Sequence, residues 1–266
     1  MNQGLLTMTE IITNTPVVMS ITDHDPSGGG GISADIETLS SLGCHCTPII
    51  SQLSARDTHS LKDTLATDTA LLIEQARALL EDIQINLFNI GEPGSISHIE
   101  AIHTILSDYP DIPVLLHPKL NPDDLGMSSA LAALLLPQAN IVVLSKEAAL
   151  GLAPGADTLS ACAQEILEYG CDNLLIIGDD SSNSQITQHW FSEHGSCQSY
   201  QWDRLPHRYY GANSTLSAAI SAYLAHGLSM AESIQQAQQF CWQALQQGRR
   251  IGMGKLLPNR MHWSNK

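Results

Sequence analysis

Asp25-Pro26-Ser27-Gly28-Gly29-Gly30-Gly31 separates an apolar run, residues 16–21, from a segment in which Ile32, Ile36 and Leu39 recur at helical spacing. The run suits a buried strand, and the spacing predicts a helix that stops at Gly43. Four consecutive glycines remove every Cβ from the place where a ligand would approach the backbone. In an open α/β sheet, binding and catalytic groups collect beyond the carboxyl ends of the strands, which is where this turn must lie. The alternative is a tight turn in which glycine only permits a positive φ. The stretch is not GxGxxG, and Asp35 and Glu37 fall within the helix, so nothing acidic stands where a nucleotide ribose would need it.

Outward from the turn the pattern repeats. Strand-like runs at residues 48–53, 83–88, 113–116, 141–144 and 173–177 are separated by helical segments at 68–80, 96–106 and 158–169 and by a helix that carries Leu131, Leu134 and Leu135. Asp68 is placed to cap the first of these helices. Strands alternating with helices read as α/β: a largely parallel sheet covered on both faces. Residues 179–200, polar with Trp190 and Phe191, read as an antiparallel hairpin at one edge, and helices return at 213–225 and 230–248. With no repeat and no long linker, the expectation is an N-terminal tail, residues 1–15, and a single domain over 16–266.

The 266 residues suffice for one large core, and 43% of them are apolar. Twenty-seven acidic against 12 basic residues leave a formal charge of −15, which repels a nucleic-acid backbone. A local set of backbone N–H groups can still hold a phosphate. None of the six cysteines forms a CxxC pair, and Cys44-His45-Cys46 without a second cluster is a weak zinc pattern, so all six read as ordinary cysteines. No apolar run reaches the roughly 20 residues that cross a bilayer, and a cytoplasmic location is expected.

A second glycine turn, Gly211-Ala212-Asn213-Ser214-Thr215, precedes the apolar stripe Leu216, Ala219 and Ile220. Unpaired N–H groups and the positive dipole end of a helix would suit an anion there, while a simple Asn or Ser cap is the plainer reading.

Together the two turns resemble the hydroxymethylpyrimidine and phosphomethylpyrimidine kinases of thiamine biosynthesis, a family with the ribokinase-like three-layer α/β/α fold. Residues 25–35 follow its DPSGGAGIQAD. Leu42-Gly43, Ala55-Arg56-Asp57-Thr58, Leu135-Leu136-Pro137-Gln138 and Thr215-Leu216-Ser217-Ala218-Ala219 are similar to its LG, AQNT, helix-to-strand junction and TLSAA stretches, in the same order. The resemblance implies ATP and Mg2+ as cofactors, a small pyrimidine substrate and a homodimer. It implies substrate contacts at Asp25, Gly28, Gly29, Gly31, Ser33, Asn89 and Gly91, and an anion hole made by Gly211, Ala212, Asn213 and Ser214. Lys119, Ser145, Ile177 and Gly178, with Gly211 and Asn213, would face the nucleotide.

The departures gather at these places. GTGC becomes Gly211-Ala212-Asn213-Ser214, adding a side chain at Asn213 and replacing the cysteine by Ser214, a hydroxyl that needs its own base to lose a proton. Ser33 replaces a pyrimidine-contacting glutamine, and His117-Pro118-Lys119-Leu120 replaces DPVM. The metal-linked glutamate of TPNxxE falls on Ala148 unless one residue is deleted, in which case Glu147 serves. KGGH becomes Ile177-Gly178-Asp179-Asp180, whose carboxylates are either metal ligands or part of a solvated loop. His117 reads either as a base or as a packed strand-end residue. These changes leave two alternatives to the kinase reading: a regulatory protein that binds a pyrimidine-like molecule without phosphoryl transfer, and a kinase for another small hydroxylated metabolite.

Overall fold

The computed structural model describes residues 15–120, 124–178 and 184–264. Nine strands occupy β1 (Val17–His24), β2 (His45–Arg56), β3 (Leu61–Ala66), β4 (Leu87–Ile90), β5 (Val114–Leu116), β6 (Ile141–Ser145), β7 (Asn173–Ile177), β8 (Gln185–Ser192) and β9 (Cys197–Asp203). The helices are α1 (Gly31–Ser41), α2 (Thr69–Asp82), α3 (Ile96–Asp108), α4 (Leu125–Leu134), α5 (Lys146–Leu152), α6 (Leu159–Leu167), α7 (Ala212–Ala225) and α8 (Met230–Gln246).

All nine strands join one sheet in the order β3-β2-β1-β4-β5-β6-β7-β8-β9. The six central strands run parallel, and the pairings β2–β3, β7–β8 and β8–β9 are antiparallel. The α/β layering and the antiparallel hairpin at the β9 edge follow the expectation from sequence. Helices cover both faces, so the central strands must be apolar on both sides. Their side chains alternate accordingly. Val18, Leu87, Leu115, Val143 and Leu175 pack with α1, α7 and α8, whereas Met19, Phe88, Leu116, Val142 and Leu174 pack with α2 to α6.

Three elements differ from the sequence reading. Strand β3 was not expected, because every one of its residues is exposed and it carries no buried stripe. It forms by pairing with the extended end of β2 around a turn in which the Asp57 carboxylate accepts the N–H groups of His59 (2.7 Å) and Ser60 (2.9 Å). The run expected at 83–88 contributes β4 only from Leu87, since Ile83 closes α2 and Asn86 donates its N–H to the Val17 carbonyl at 2.8 Å. Helix α5 was missed, a two-turn segment started by the Ser145 hydroxyl, which accepts the Ala148 N–H at 3.1 Å. Asp68 caps α2 as expected, through the Leu71 N–H at 2.8 Å. Cys44 and Cys46 are buried, all six cysteines are free, and no group of three metal-ligating side chains exists among the described residues. Residues 1–14 of the expected tail, together with Asp179 and Asp180, lie outside the described residues.

Candidate active site

The first turn is held by its own carboxylate. Asp25, buried at the end of β1, accepts the Ser27 N–H (2.8 Å) and hydroxyl (2.7 Å) on Oδ1 and the Gly30 N–H (2.8 Å) on Oδ2. Burial pushes this carboxyl up, but those hydrogen bonds and the Arg56 charge outweigh it and hold it below the ordinary carboxylate value. The chain enters α1 with φ of 71° at Gly28 and 57° at Gly31, which glycine adopts without strain. Gly29 and Gly30 need to be bare for another reason: a Cβ on either would run into the Tyr210 side chain.

Gly211 starts α7 at φ 92°, and a Cβ there would overlap the Gly29 carbonyl oxygen. The two glycine turns therefore touch. Arg260, only 2% exposed, fastens them. Its guanidinium donates to the carbonyls of Gly29 (2.6 Å) and Gly28 (3.1 Å), to Thr215 Oγ1 (2.9 Å) and to Glu37 (2.9 Å). Six of the eight described helices have a side-chain cap from Asp68, Ser95, Asp124, Ser145, Thr158 or Ser229. The two without one are α1 and α7, which begin at the glycine turns. At α1 the Asp25 carboxylate already takes the N–H of the N-cap Gly30, whereas the first turn of α7 has no side-chain acceptor and offers its N–H groups and positive dipole end to an anion. In α7, Ala212 is half-buried, Asn213 is exposed and Ser214 is buried. The Ser214 hydroxyl would lie 3.5 Å from a Cβ at Gly30, and no base among the described residues is hydrogen-bonded to it.

Beside the first turn, the ends of β1, β4 and β5 bring together Asp23, Gly91, Glu92, His117 and Lys119. Lys119 donates to both oxygens of buried Asp23, at 3.1 and 3.0 Å. Burial raises the Glu92 carboxyl to about 7 against the pull of the Lys119 charge. Burial and the same lysine lower His117 to about 4, so its ring is neutral near pH 7. Gly91 is backed by Thr22 and His117, leaving no room for a side chain.

Under the turn lies a buried polar network in which Asp35 Oδ1 alone has no partner. Asn89, fully buried, donates to Asp35 Oδ2 (3.0 Å) and Ser20 Oγ (2.9 Å) and accepts the Ser221 hydroxyl (3.2 Å), while Ser20 donates to Asp35 at 2.5 Å. Asn89 thus ties β4 to β1, α1 and α7 beneath the site. Burial raises the Asp35 carboxyl to about 7, although the Ser20 hydrogen bond and the Arg260 charge oppose the shift. Ser33, two residues earlier in the first turn of α1, is half-buried.

Farther along the sheet, Ser145 and Ile177 are register partners at the ends of β6 and β7. Gly178 follows with its N–H on the Thr187 carbonyl at 3.0 Å, so close to β8 that a Cβ would strike that oxygen. Glu147 is exposed in the first turn of α5, whereas Ala148 is buried in the core. Sequence reasoning had missed Asp23, Tyr210 and Arg260. A carboxylate directly after the apolar run and before the glycine turn was a usable signal for Asp23. Nothing local marks Arg260, which reaches Gly29 from 231 positions away.

Comparison with known proteins matches these features to named ones. The family model described as phosphomethylpyrimidine kinase matches residues 25–259. The hydroxymethylpyrimidine/phosphomethylpyrimidine kinase of Haemophilus influenzae is 29% identical over 95% of this chain and 98% of its own length. That of Escherichia coli is 28% identical over 89% and 93%. Among solved structures, a Staphylococcus aureus pyridoxal kinase in complex with AMP-PCP and pyridoxal has a TM-score of 0.87 at 20% identity, covering 94% of this chain and 95% of that one. A Clostridium difficile phosphomethylpyrimidine kinase has 0.72 at 23%, covering 84% and 98%. The structural likeness shows a shared fold, and the sequence match, spanning both glycine turns and nearly all that lies between β1 and Arg260, shows that the chain belongs to the phosphomethylpyrimidine kinase family.

Proposed function

We propose that the chain transfers the terminal phosphate of ATP to hydroxymethylpyrimidine or its monophosphate, a step of thiamine biosynthesis. The observation that carries the proposal is the pairing of the two uncapped helix N-termini, α1 and α7, clamped together by Arg260. Phosphoryl transfer depends on in-line positioning and on positive potential around the equatorial oxygens more than on covalent chemistry. The first-turn N–H groups of Ala212, Asn213 and Ser214 supply that potential, and the Ser214 hydroxyl donates to a phosphoryl oxygen. With no base bonded to it, Ser214 orients the group without taking a proton. Asp25, Gly28, Gly29, Gly31 and Ser33 form the substrate side, with Asn89 and Gly91 supporting it from beneath. Lys119, Ser145, Ile177 and Gly178 are assigned to the nucleotide side.

A magnesium ion in such a site takes most of its ligands from water and phosphate and needs only one or two carboxylates. Glu147, exposed in the first turn of α5 where that helix leaves β6, is the carboxylate we assign to it. When bound, the ion neutralises charge on the nucleotide phosphates. The family resemblance supports a cytoplasmic homodimer as the working state.

The test is an assay of the purified chain with Mg-ATP and each pyrimidine, following ADP and phosphorylated product together. Equal release of both is expected; no product from either substrate at high enzyme concentration would sink the proposal. One observation favours a second reading, a binding protein without transfer: Ser214, at the turn where a base would be needed, has no base hydrogen-bonded to it among the described residues. Pyrimidine binding without ADP formation in the same assay would select that reading.

A further inference from the structure

Charge is not spread evenly along this acidic chain. Seven of its 12 lysines and arginines lie at or beyond Arg204, where Glu232 is the one acidic residue, so this segment carries +6 and everything before it −21. Such asymmetry points to an anionic partner for the basic segment. The fold then gathers four of the seven beside the start of α7. Residues 208–210, 248–250 and 255–257 run side by side: Leu256 donates its N–H to the Arg208 carbonyl (3.0 Å), Tyr210 donates to the Leu256 carbonyl (2.9 Å), and Arg249 and Leu257 exchange N–H groups at 2.8 and 3.0 Å. Gly211, which opens α7 without a side-chain cap, follows Tyr210 directly. Arg208, Arg249, Arg250 and Lys255 therefore share one rim at that helix end.

All four are exposed, and none has a carboxylate partner among the described residues. Arg250 donates to the Gly254 carbonyl at 3.3 Å, a neutral acceptor within its own loop. Asp57, on the neighbouring β2–β3 turn, is taken by Lys62 and by the N–H groups of His59 and Ser60. The rim is also fixed in place: Lys255 donates its N–H to the Thr58 carbonyl at 3.1 Å and Gly254 donates to the Thr58 hydroxyl at 3.0 Å. A nucleotide polyphosphate is repelled by the chain as a whole. At physiological ionic strength, however, the screening length is about 8 Å, so close to the start of α7 it meets the field of the rim and not that of the remote acidic residues.

We propose that Arg208, Arg249, Arg250 and Lys255 form an electropositive rim that guides a polyphosphate-bearing nucleotide to the start of α7 and raises its rate of capture. The rim acts on approach, while the first turn of α7 holds the phosphate once bound. The proposal rests on the kinase reading for placing the phosphate at that turn.

Stopped-flow binding of N-methylanthraniloyl-ATP to the full chain, with Mg2+ present, tests it in Arg249→Glu, Lys255→Glu and Arg77→Glu. Arg77 is exposed on α2, which packs on the other face of the sheet from α7, and its reversal changes the net charge by the same amount. At roughly 50 mM salt each rim reversal should slow association about threefold or more relative to Arg77→Glu, with dissociation unchanged. Near roughly 500 mM the three should converge, because screening then reaches only a few ångströms. Equal association in all three would overturn the proposal, as would a slowing that salt does not remove. Faster dissociation with association intact would also overturn it, since the rim would then be a contact and not a guide. If one rim reversal does not fold, the other decides. Absence of nucleotide binding would overturn this proposal along with the kinase reading, whereas salt-sensitive capture without product would sink the kinase reading alone.

Discussion

Single residues in this site are constrained by two separable effects, conformation and space, and glycines 28 and 211 divide them. Both have positive φ, but a Cβ on Gly28 meets nothing within 4 Å while one on Gly211 meets the Gly29 carbonyl. Gly28→Ala should therefore cost only the left-handed backbone penalty, about 1–2 kcal/mol. Gly211→Ala should cost at least about 3 kcal/mol or prevent folding, because the two turns must separate. Urea midpoints would check the order, and equal losses would refute it. Asp35 carries a pH prediction. The folded chain keeps a proton that the unfolded carboxyl releases above its ordinary value of 3.8, since burial raises the group to about 7. Its stabilising contribution is whole below pH 3.8 and is lost as pH rises through about 7. Glu92, also raised to about 7, acts in the same sense. Stability should fall from pH 5 to 7.5, and Asp35→Asn should flatten part of that fall; an unchanged slope in the variant would count against a protonated Asp35.

At the scale of elements, Arg260 joins the start of α1 to the start of α7, and its work is done by hydrogen bonds. Glu37, its ionic partner, is half-exposed, so that pair contributes little. The bonds to Gly28, Gly29 and Thr215 satisfy groups that would otherwise lose partners, and charged hydrogen bonds of this kind stabilise by about 1.5–3 kcal/mol. Arg260→Ala should cost about 3 kcal/mol and lower phosphoryl transfer more than substrate affinity, because the start of α7, which we assign to the phosphate, is released while the first turn keeps its bonds to Asp25. Thermal melts and a kcat-against-KM split read the two effects; a loss of stability with kcat intact would limit Arg260 to holding the fold. Most elements were legible from residues alone, since a strand buried on both faces must be apolar throughout and a helix buried on one face must repeat its apolar positions. Strand β3 was not legible, because all six of its residues are exposed and only pairing with β2 makes it a strand.

For the whole molecule, the formal charge of −15 sets a condition on stability. Self-repulsion in a compact acidic chain weakens as salt shortens the screening length. The melting temperature near pH 7.5 should rise as sodium chloride goes from roughly 20 to 200 mM, a range over which the Debye length drops markedly. A fall over that range in differential scanning fluorimetry would mean that specific ion pairs outweigh the net charge.

The alternation of strands and helices, the two glycine turns and the ordered resemblance to a kinase family are properties of neighbouring residues, so the sequence by itself determined the α/β layering and the turns around which a site would form. Only the tertiary structure decided what fills and closes that site. Arg260 lies 231 positions beyond Gly29, and Arg56 meets Tyr210 across 154. Such contacts are fixed by the order of strands in the sheet and by the helices packed on it, and no periodicity in the chain reports them. Arg56 stands in the sequence only as part of the stretch after a strand; in the fold it is nearly buried, its guanidinium over the Tyr210 ring and paired with Asp25.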